Sequence, residues 1–476
     1  MRDWFVAEQG WLGRMVFQRS LAAVYLVAFV VAANQYRALL GEHGLTPVRR
    51  FLDRASFRRA PSVFWLHHTD RFYLALAWSG AALSFSTVAG LTDAVPLPAA
   101  MLVWVLLWLA YLSIVNVGQT WYAFGWESLL LETGFLAVFL GNASTAPPVL
   151  TLYLLRWLLF RLEVGAGLIK LRGDVCWRDL TCLYYHHETQ PMPGPFSWYF
   201  HRLPRPLHRV EVLANHATQL VVPFLLFAPQ PVSGAAAVVM IVTQLWLVAS
   251  GNFSWLNWLA IVLALSVLPD GWLAPVLPGS GAYGAGSVPV PFVAAVGAAT
   301  ALVAVLSYWP VANLLSRRQK MNASFNRWHL VNTYGAFGSI TRNRYEVVVE
   351  GTRADRVGPD TAWDEYQFKG KPGDVRRRPR QFAPYHLRLD WLMWFAALSP
   401  SYADPWFPVL LDRLLEGDRQ VRRLLRHDPF GDTPPTFVRA RLYHYRFTTR
   451  SERRRTGAWW VRNPAGEFMR PVRARR

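Results

Sequence analysis

Charge and sulfur are both scarce in this sequence. Only 17% of the 476 residues are charged, and two, Cys176 and Cys182, are cysteine. Two cysteines exclude a disulfide-built scaffold and a cysteine metal cluster. They leave two readings open: one disulfide in an oxidising compartment, or two free thiols. The Gly-x-Ser-x-Gly elbow, the phosphate-binding loop and the dinucleotide fingerprint are missing, so standard hydrolase and nucleotide chemistry lacks support. No nucleic-acid motif accompanies the net charge of +20. Membrane lipids, through their anionic headgroups, are the more economical partner. No cleavable signal peptide is evident, because the first apolar run, from near Phe17, is long enough to span and lacks a small-residue cleavage site.

What the chain has is apolar length. Hydrophobic residues make up 53%, with 23 Trp. Apolar segments fall at about 17–35, 71–91, 97–117, 127–142, 149–171, 208–228, 231–249, 253–269 and 289–315. Most approach the ~20 residues that cross a bilayer. The fourth is short and the sixth begins amphipathic, so eight or nine transmembrane helices are expected. The Gly/Pro-rich stretch 278–291 reads as a loop.

The character changes after Leu315. RYEVVVEGT alternates and is β-branched, and with WDEYQFKGKPGDV it predicts two paired strands. HLRLDWLMWFAAL, VLLDRLLEG and RQVRRLLRHD read as helices, and FVRARLYHYRFT as another strand. The fold class is thus a polytopic α-helical membrane protein, residues 1–318, with a C-terminal α+β domain containing an antiparallel sheet, residues 319–476. With nine helices, the loops near 36–70, 118–126, 172–207 and 250–252 share one face with that domain. Arg49, Arg50, Arg54, Arg58 and Arg59 lie on this face, which would place it in the cytoplasm by the positive-inside rule. The rule weakens for long loops and domains, so orientation stays open.

One apolar segment is not apolar throughout. RWLLFRLEVGAGLIKLRG, residues 156–173, carries Arg156, Arg161, Glu163 and Lys170. Ionisable residues inside a span cost about 2.5–3.5 kcal/mol or more each, so they face protein and find partners. Arg156, Glu163 and Lys170 recur every seven residues and line one stripe, with Arg161 on another face. Glu127 and Glu132 in the preceding segment are natural partners for the arginines. Gly165 and Gly167 remove bulk beside the stripe. Structural ion pairing is one reading. In the other, Lys170 sits in a poorly hydrated cleft and acts as a base.

The loop that follows, CWRDLTCLYYHHETQPMPGPFSWYFHRLP, holds His186, His187, Glu188 and His201. Adjacent histidines on a loop are not the i, i+4 pair of a helical zinc site, so no metal is expected. Trp177, Arg178, Asp179 and Gln190 join Glu127, Glu132, Arg156, Arg161 and Glu163 as a candidate polar cluster for binding or structure. Lys170, His187 and Glu188 are the candidate catalytic set under an enzyme reading. No cofactor is called for.

VNVGQTWYAFGWESLLLETGFL, LLFRLEVGAGLIKLRGDVCWRDLTCLYYHHETQPMPGPFSWYFHRLP and ASGNFSWLNWLAI resemble the lipase maturation factor family. APYHLRLDWLMWFAAL and PFGDTPPTFVRARLYHYRFT resemble that family's C-terminal domain, and the likeness runs from about residue 10 to 450. The resemblance implies a membrane factor for maturation and assembly of secreted lipases, with a lipase as client. It implies that the C-terminal domain engages the client and is extracytoplasmic, which conflicts with the arginine count. It further implies an endoplasmic reticulum membrane in animals. The Arg-rich composition points to a bacterial origin, hence a cell membrane. The membrane part is also distantly similar to the vitamin K-dependent carboxylase superfamily, whose Gly-x-x-Lys-Leu setting matches Gly167-Leu168-Ile169-Lys170-Leu171. That likeness implies the alternative function, an enzyme acting on a lipid-soluble substrate with Lys170 as base.

Overall fold

An apolar run from Leu21 to Ala33 anchors a long helix at the N-terminus of the computed structural model, which describes residues 4–277 and 288–473. The segment 278–287, most of the expected Gly/Pro-rich loop, lies outside the described residues. Helix α1 (Trp11–Leu39) runs 29 residues, about 44 Å at 1.5 Å per residue. It is buried along most of its length and packs against α2 (Asp70–Val88), whose first turn is capped by the Thr69 side chain accepting from Phe72 N–H. Helices α3 (Leu97–Val117), α4 (Gly125–Ala137) and α5 (Val149–Arg172) follow. After a short helix α6 (Leu183–Thr189) in the long polar loop come α7 (Arg205–Leu220), α8 (Val232–Ser250), α9 (Leu256–Leu265) and α10 (Val290–Leu306).

Among the described residues, five helical stretches are long and apolar enough to cross a membrane: Trp11–Leu39, Leu97–Val117, Arg205–Phe227, Val232–Ser250 and Val290–Leu315. A sixth arises if Leu256–Leu265 and Asp270–Val276, bent by 113°, count as one broken span. This is fewer than the eight or nine expected. The 127–142 segment yields only the 13 residues of α4, about 20 Å. Helix α5 is long enough at 24 residues, but its arginines, glutamate and lysine take it out of the purely apolar class. Helix α2 carries the expected 71–91 segment and is 19 residues long, with Gly80, Ser84 and Thr87 among its buried residues.

The C-terminal part is built on a four-stranded antiparallel sheet in the order β2-β1-β3-β4. The alternating segments form β1 (Arg344–Thr352) and β3 (Phe437–Phe447), paired along nine residues from Arg344↔Tyr445 to Thr352↔Phe437. The expected strand partner of β1 shrinks to β2 (Asp364–Glu365). The sequence reading did not anticipate β4 (Trp460–Arg473), an edge strand containing Pro464 and Pro471. Proline is tolerated there because the outer side of an edge strand has no ladder to lose. Helices α11 (Arg388–Leu398) and α12 (Trp406–Leu415) fulfil the helical readings and pack beside β1 and β3.

All four loops assigned to one face meet this C-terminal part. In the 36–70 loop Arg58 O accepts from Arg327 at 2.7 Å, and just before it Gln35 of α1 donates to His386 O at 2.7 Å and accepts from Arg388 N–H at 3.1 Å. Trp121 packs edge-on to Trp406, with ring centroids 5.5 Å apart. Arg344 on β1 donates to the carbonyls of Glu188 at 3.0 Å and Pro191 at 3.1 Å, and Asn252 donates to Arg380 O at 2.9 Å. The sheet and its helices therefore roof one end of the bundle.

Candidate functional site

Between bundle and roof lies a cavity of about 1230 Å³. Its walls combine apolar side chains from α5, α7, α8 and α11, such as Ile169, Leu247 and Trp391, with the polar groups of Glu163, Lys170 and His187. A large apolar hollow with few polar groups is the form of a small-molecule or lipid pocket.

The charged helix α5 forms one wall, and its charges are met by partners from several elements. Arg156 Nη1 donates to Leu226 O at 3.0 Å and lies over the Tyr153 ring. Arg161, fully buried, pairs with Glu132 and also donates to Asn332 O at 2.5 Å. Glu132 in turn accepts from Asn332 N–H at 2.9 Å and Tyr334 O–H at 2.7 Å. A buried ion pair is tolerable only with its remaining hydrogen bonds filled, and this one recruits the 332–334 segment to fill them. Glu163 accepts from Gln244 at 2.7 Å. Lys170 Nζ donates to Asn215 Oδ1 at 2.8 Å and Gln219 Oε1 at 2.7 Å, 5.1 Å from the Trp177 ring centroid. The amides, which the sequence reading did not single out, thus satisfy Glu163 and Lys170, whereas Arg156 is satisfied by backbone.

The two glycines beside the stripe admit other segments. A Cβ at Gly165 would lie 2.3 Å from Tyr334 O, and one at Gly167 would lie 2.6 Å from Leu220 Cδ2. The first space is taken by backbone of the roof, the second by α7.

The loop residues divide. Trp177 is buried and donates to Phe337 O at 2.8 Å, whereas Arg178 and Asp179 are exposed. Cys176 and Cys182 are joined by a disulfide, with Cα atoms 4.8 Å apart. The helical turn between them is capped by Asp174, whose carboxyl the Arg342 guanidinium holds below its usual range. Gln190 is buried and donates to His187 O, Ser197 Oγ and Ser250 O.

The three candidate catalytic residues do not converge. Lys170 and His187 line the cavity, but Glu188 turns away, accepting from Phe447 N–H at 2.6 Å and facing His201 at 3.6 Å. His186 packs against Phe253 and Phe337, and burial first and His187 second hold its pKa down to about 3. His187 instead meets two residues of α7. Its Nε2 is 3.9 Å from Glu211 Oε2, which is 3.4 Å from His208 Nδ1. His208 and Glu211 stand one turn apart on an amphipathic helix; that spacing was the available signal for them.

Glu127 is also bound differently from the expectation of an arginine on α5. It accepts from Arg388 at 2.7 Å and from Tyr111 O–H at 2.5 Å, with His386 at 3.6 Å. Arg388 belongs to α11, in the roof.

Residues 12–275 match the family model described as the lipase maturation factor transmembrane domain, and residues 330–470 match the lipase maturation factor C-terminal domain. Across 97% of its length the chain is 43% identical to lipase maturation factor 1 of Homo sapiens, covering 88% of that protein. It is 42% identical to lipase maturation factor 1 of Bos taurus, with 97% and 89% of the two chains covered. Lipase maturation factor 2 of Homo sapiens is similar at 30% identity, over 97% and 82% of the two chains. No solved structure matches the chain.

Proposed function

Because this chain belongs to the lipase maturation factor family, we propose that it is an integral membrane maturation factor for secreted lipases. The observation that carries this reading is likeness over nearly the whole chain, membrane part and roof together, at 43% identity to a protein of that name. The roof's attachment through the buried Arg388–Glu127 ion pair, and through the hydrogen bonds of Asn332 and Tyr334 to Glu132 and Arg161, supports a single working unit in which the bundle presents the C-terminal part to a client.

In this proposal the chain divides into a membrane domain, residues 1–318, and a client-engaging domain, residues 319–476. Helices α2 and α5 join the five or six apolar spans as crossing elements, giving seven or eight helices, and eight or nine with α4. The roofed face is extracytoplasmic, and the Cys176–Cys182 disulfide in its loop supports this side, since disulfides persist in oxidising compartments. The membrane is the cell membrane in a bacterial host.

The test is lipase activity per unit of secreted lipase antigen, in the native host, with and without the gene. Lower specific activity at equal antigen on deletion is the expected result. Unchanged specific activity across the secreted lipases of the host removes the proposal.

A further inference from the structure

His187, His208 and Glu211 bring three ligand atoms within 4.8 Å of one another. His208 and Glu211 share a face of α7, because residues three apart are neighbours on a helix. His187 reaches them from α6, a separate segment of the chain. Around a tetrahedral zinc ion with bonds of about 2.0–2.1 Å, ligand atoms stand roughly 3.3–3.4 Å apart. The His208 Nδ1 to Glu211 Oε2 distance of 3.4 Å already meets that, and the His187 Nε2 to Glu211 Oε2 distance of 3.9 Å exceeds it slightly.

The surroundings orient the set. Trp246 Nε1 donates to Glu211 Oε1 at 2.6 Å, leaving Oε2 turned to both histidines. Outer hydrogen bonds of this kind fix carboxylate ligands at metal sites. Phe200 stacks on the His187 ring, and Tyr184 meets the His208 ring edge-on. His187 itself is 2% exposed, and neither of its ring nitrogens makes a hydrogen bond. Buried polar groups are nearly always partnered, and each exception needs a reason. A cation between the three side chains supplies one.

We propose that His187, His208 and Glu211 form a binding site for a zinc-type divalent cation on the cavity wall. Two imidazoles and a carboxylate suit zinc and its transition-metal neighbours, whereas calcium and magnesium take oxygen ligands. His187 and Glu211 both line the cavity, so a fourth coordination position faces its interior, open to water or a ligand. The ion would also clip α6 to α7. The sequence reading set metal aside because it weighed only the adjacent His186, His187 and Glu188. The triad uses one of these, and the other two ligands come from another helix.

The test uses the full chain in lipid nanodiscs, freed of any purification tag and stripped with chelator. Zinc is titrated by calorimetry with elemental analysis, and cobalt(II) is followed by its tetrahedral absorption band. One zinc per chain is expected, with a tetrahedral cobalt spectrum. His208→Ala should abolish the spectrum and weaken zinc at least tenfold to a hundredfold, about the loss seen when even an outer partner of a metal site is removed. Glu211→Gln keeps an oxygen for Trp246 and serves if His208→Ala misfolds; it should weaken zinc to the same degree. His67→Ala, an exposed histidine elsewhere, should change nothing. A wild-type chain that takes up no zinc at micromolar concentrations, or folded triad variants that bind like wild type, would overturn the site. Because the readout is metal rather than lipase activity, the outcome is independent of the maturation role.

Discussion

Arg388, in a helix of the roof, donates to Glu127, in a helix of the membrane part, at 2.7 Å, and neither side chain is exposed to solvent. The guanidinium also lies 3.5 Å from the centre of the Tyr122 ring and donates to Trp121 O at 2.5 Å. This pair is one of the buried ties between the roof and the bundle. Removing one partner strands the other charge in a dry site, which typically costs about 3–5 kcal/mol. Arg388→Met should therefore lower the melting midpoint of the nanodisc-held protein sharply, with Glu127→Gln/Arg388→Met recovering much of the loss. Equal melting of the single variant and wild type would show that the pair is dispensable.

Acid should loosen the same junction. His386 packs among Phe124, Trp126, Trp255 and Trp391, and its pKa is held down to about 4, by burial first and by Arg388 second. An unfolded histidine takes its proton near pH 6.5. Between about pH 6.5 and about pH 4 the unfolded chain therefore binds a proton that the folded chain refuses. Stability is full above that window and falls as pH drops through it, by up to about 1.4 kcal/mol per pH unit from this group. Melting from about pH 7.5 to pH 5 should show the fall, and His386→Gln should make it shallower by this group's share, the other buried histidines supplying the rest.

The disulfide closes a loop with a sequence separation of six. So short a loop is worth about 2 kcal/mol on chain-entropy grounds. Cys176→Ser/Cys182→Ser should melt lower by that order, and the wild-type chain, isolated with its thiols trapped at lysis, should show no free thiol. Two free thiols in freshly isolated protein would argue against an extracytoplasmic loop.

Lys170 separates positioning from catalysis. Losing a general base costs about 10²–10⁴ in rate. Lys170→Gln keeps a group able to donate to Asn215 or Gln219. Its lipase specific activity per antigen should stay within about tenfold of wild type. A fall of 10² or more at normal abundance would restore the enzyme reading.

Gly165 is where helix α5 meets the roof without clearance. Ala at this position puts a Cβ against the Tyr334 carbonyl, a backbone atom that cannot rotate away. Gly165→Ala should cost about 1–3 kcal/mol, as overpacking does. Normal melting would mean that the 332–335 segment can shift freely.

Part of this molecule was legible residue by residue. Transfer of apolar side chains out of water is nearly additive along the chain, so composition alone located the long helices. Alternation located β1 and β3, because side chains of a strand point to opposite faces in turn. The buried charges of α5 announced that this helix faces protein rather than lipid, since a lone charge in lipid is too costly.

The choice of partners belonged to the tertiary structure. Glu132 found Arg161 on the neighbouring helix, as sign and proximity suggested, but Glu127 found Arg388, 261 residues away. His187 left its neighbours His186 and Glu188 for His208 and Glu211 on α7. Strand β4 exists despite two prolines because β3 offers a long ladder on one side, with register shifts beside both prolines, and nothing is required on the other. Burial of apolar surface depends on each residue's own side chain and can be summed locally. Pairing of buried polar groups depends on which other group the folded chain delivers within about 3 Å, and that is a property of the path of the whole backbone.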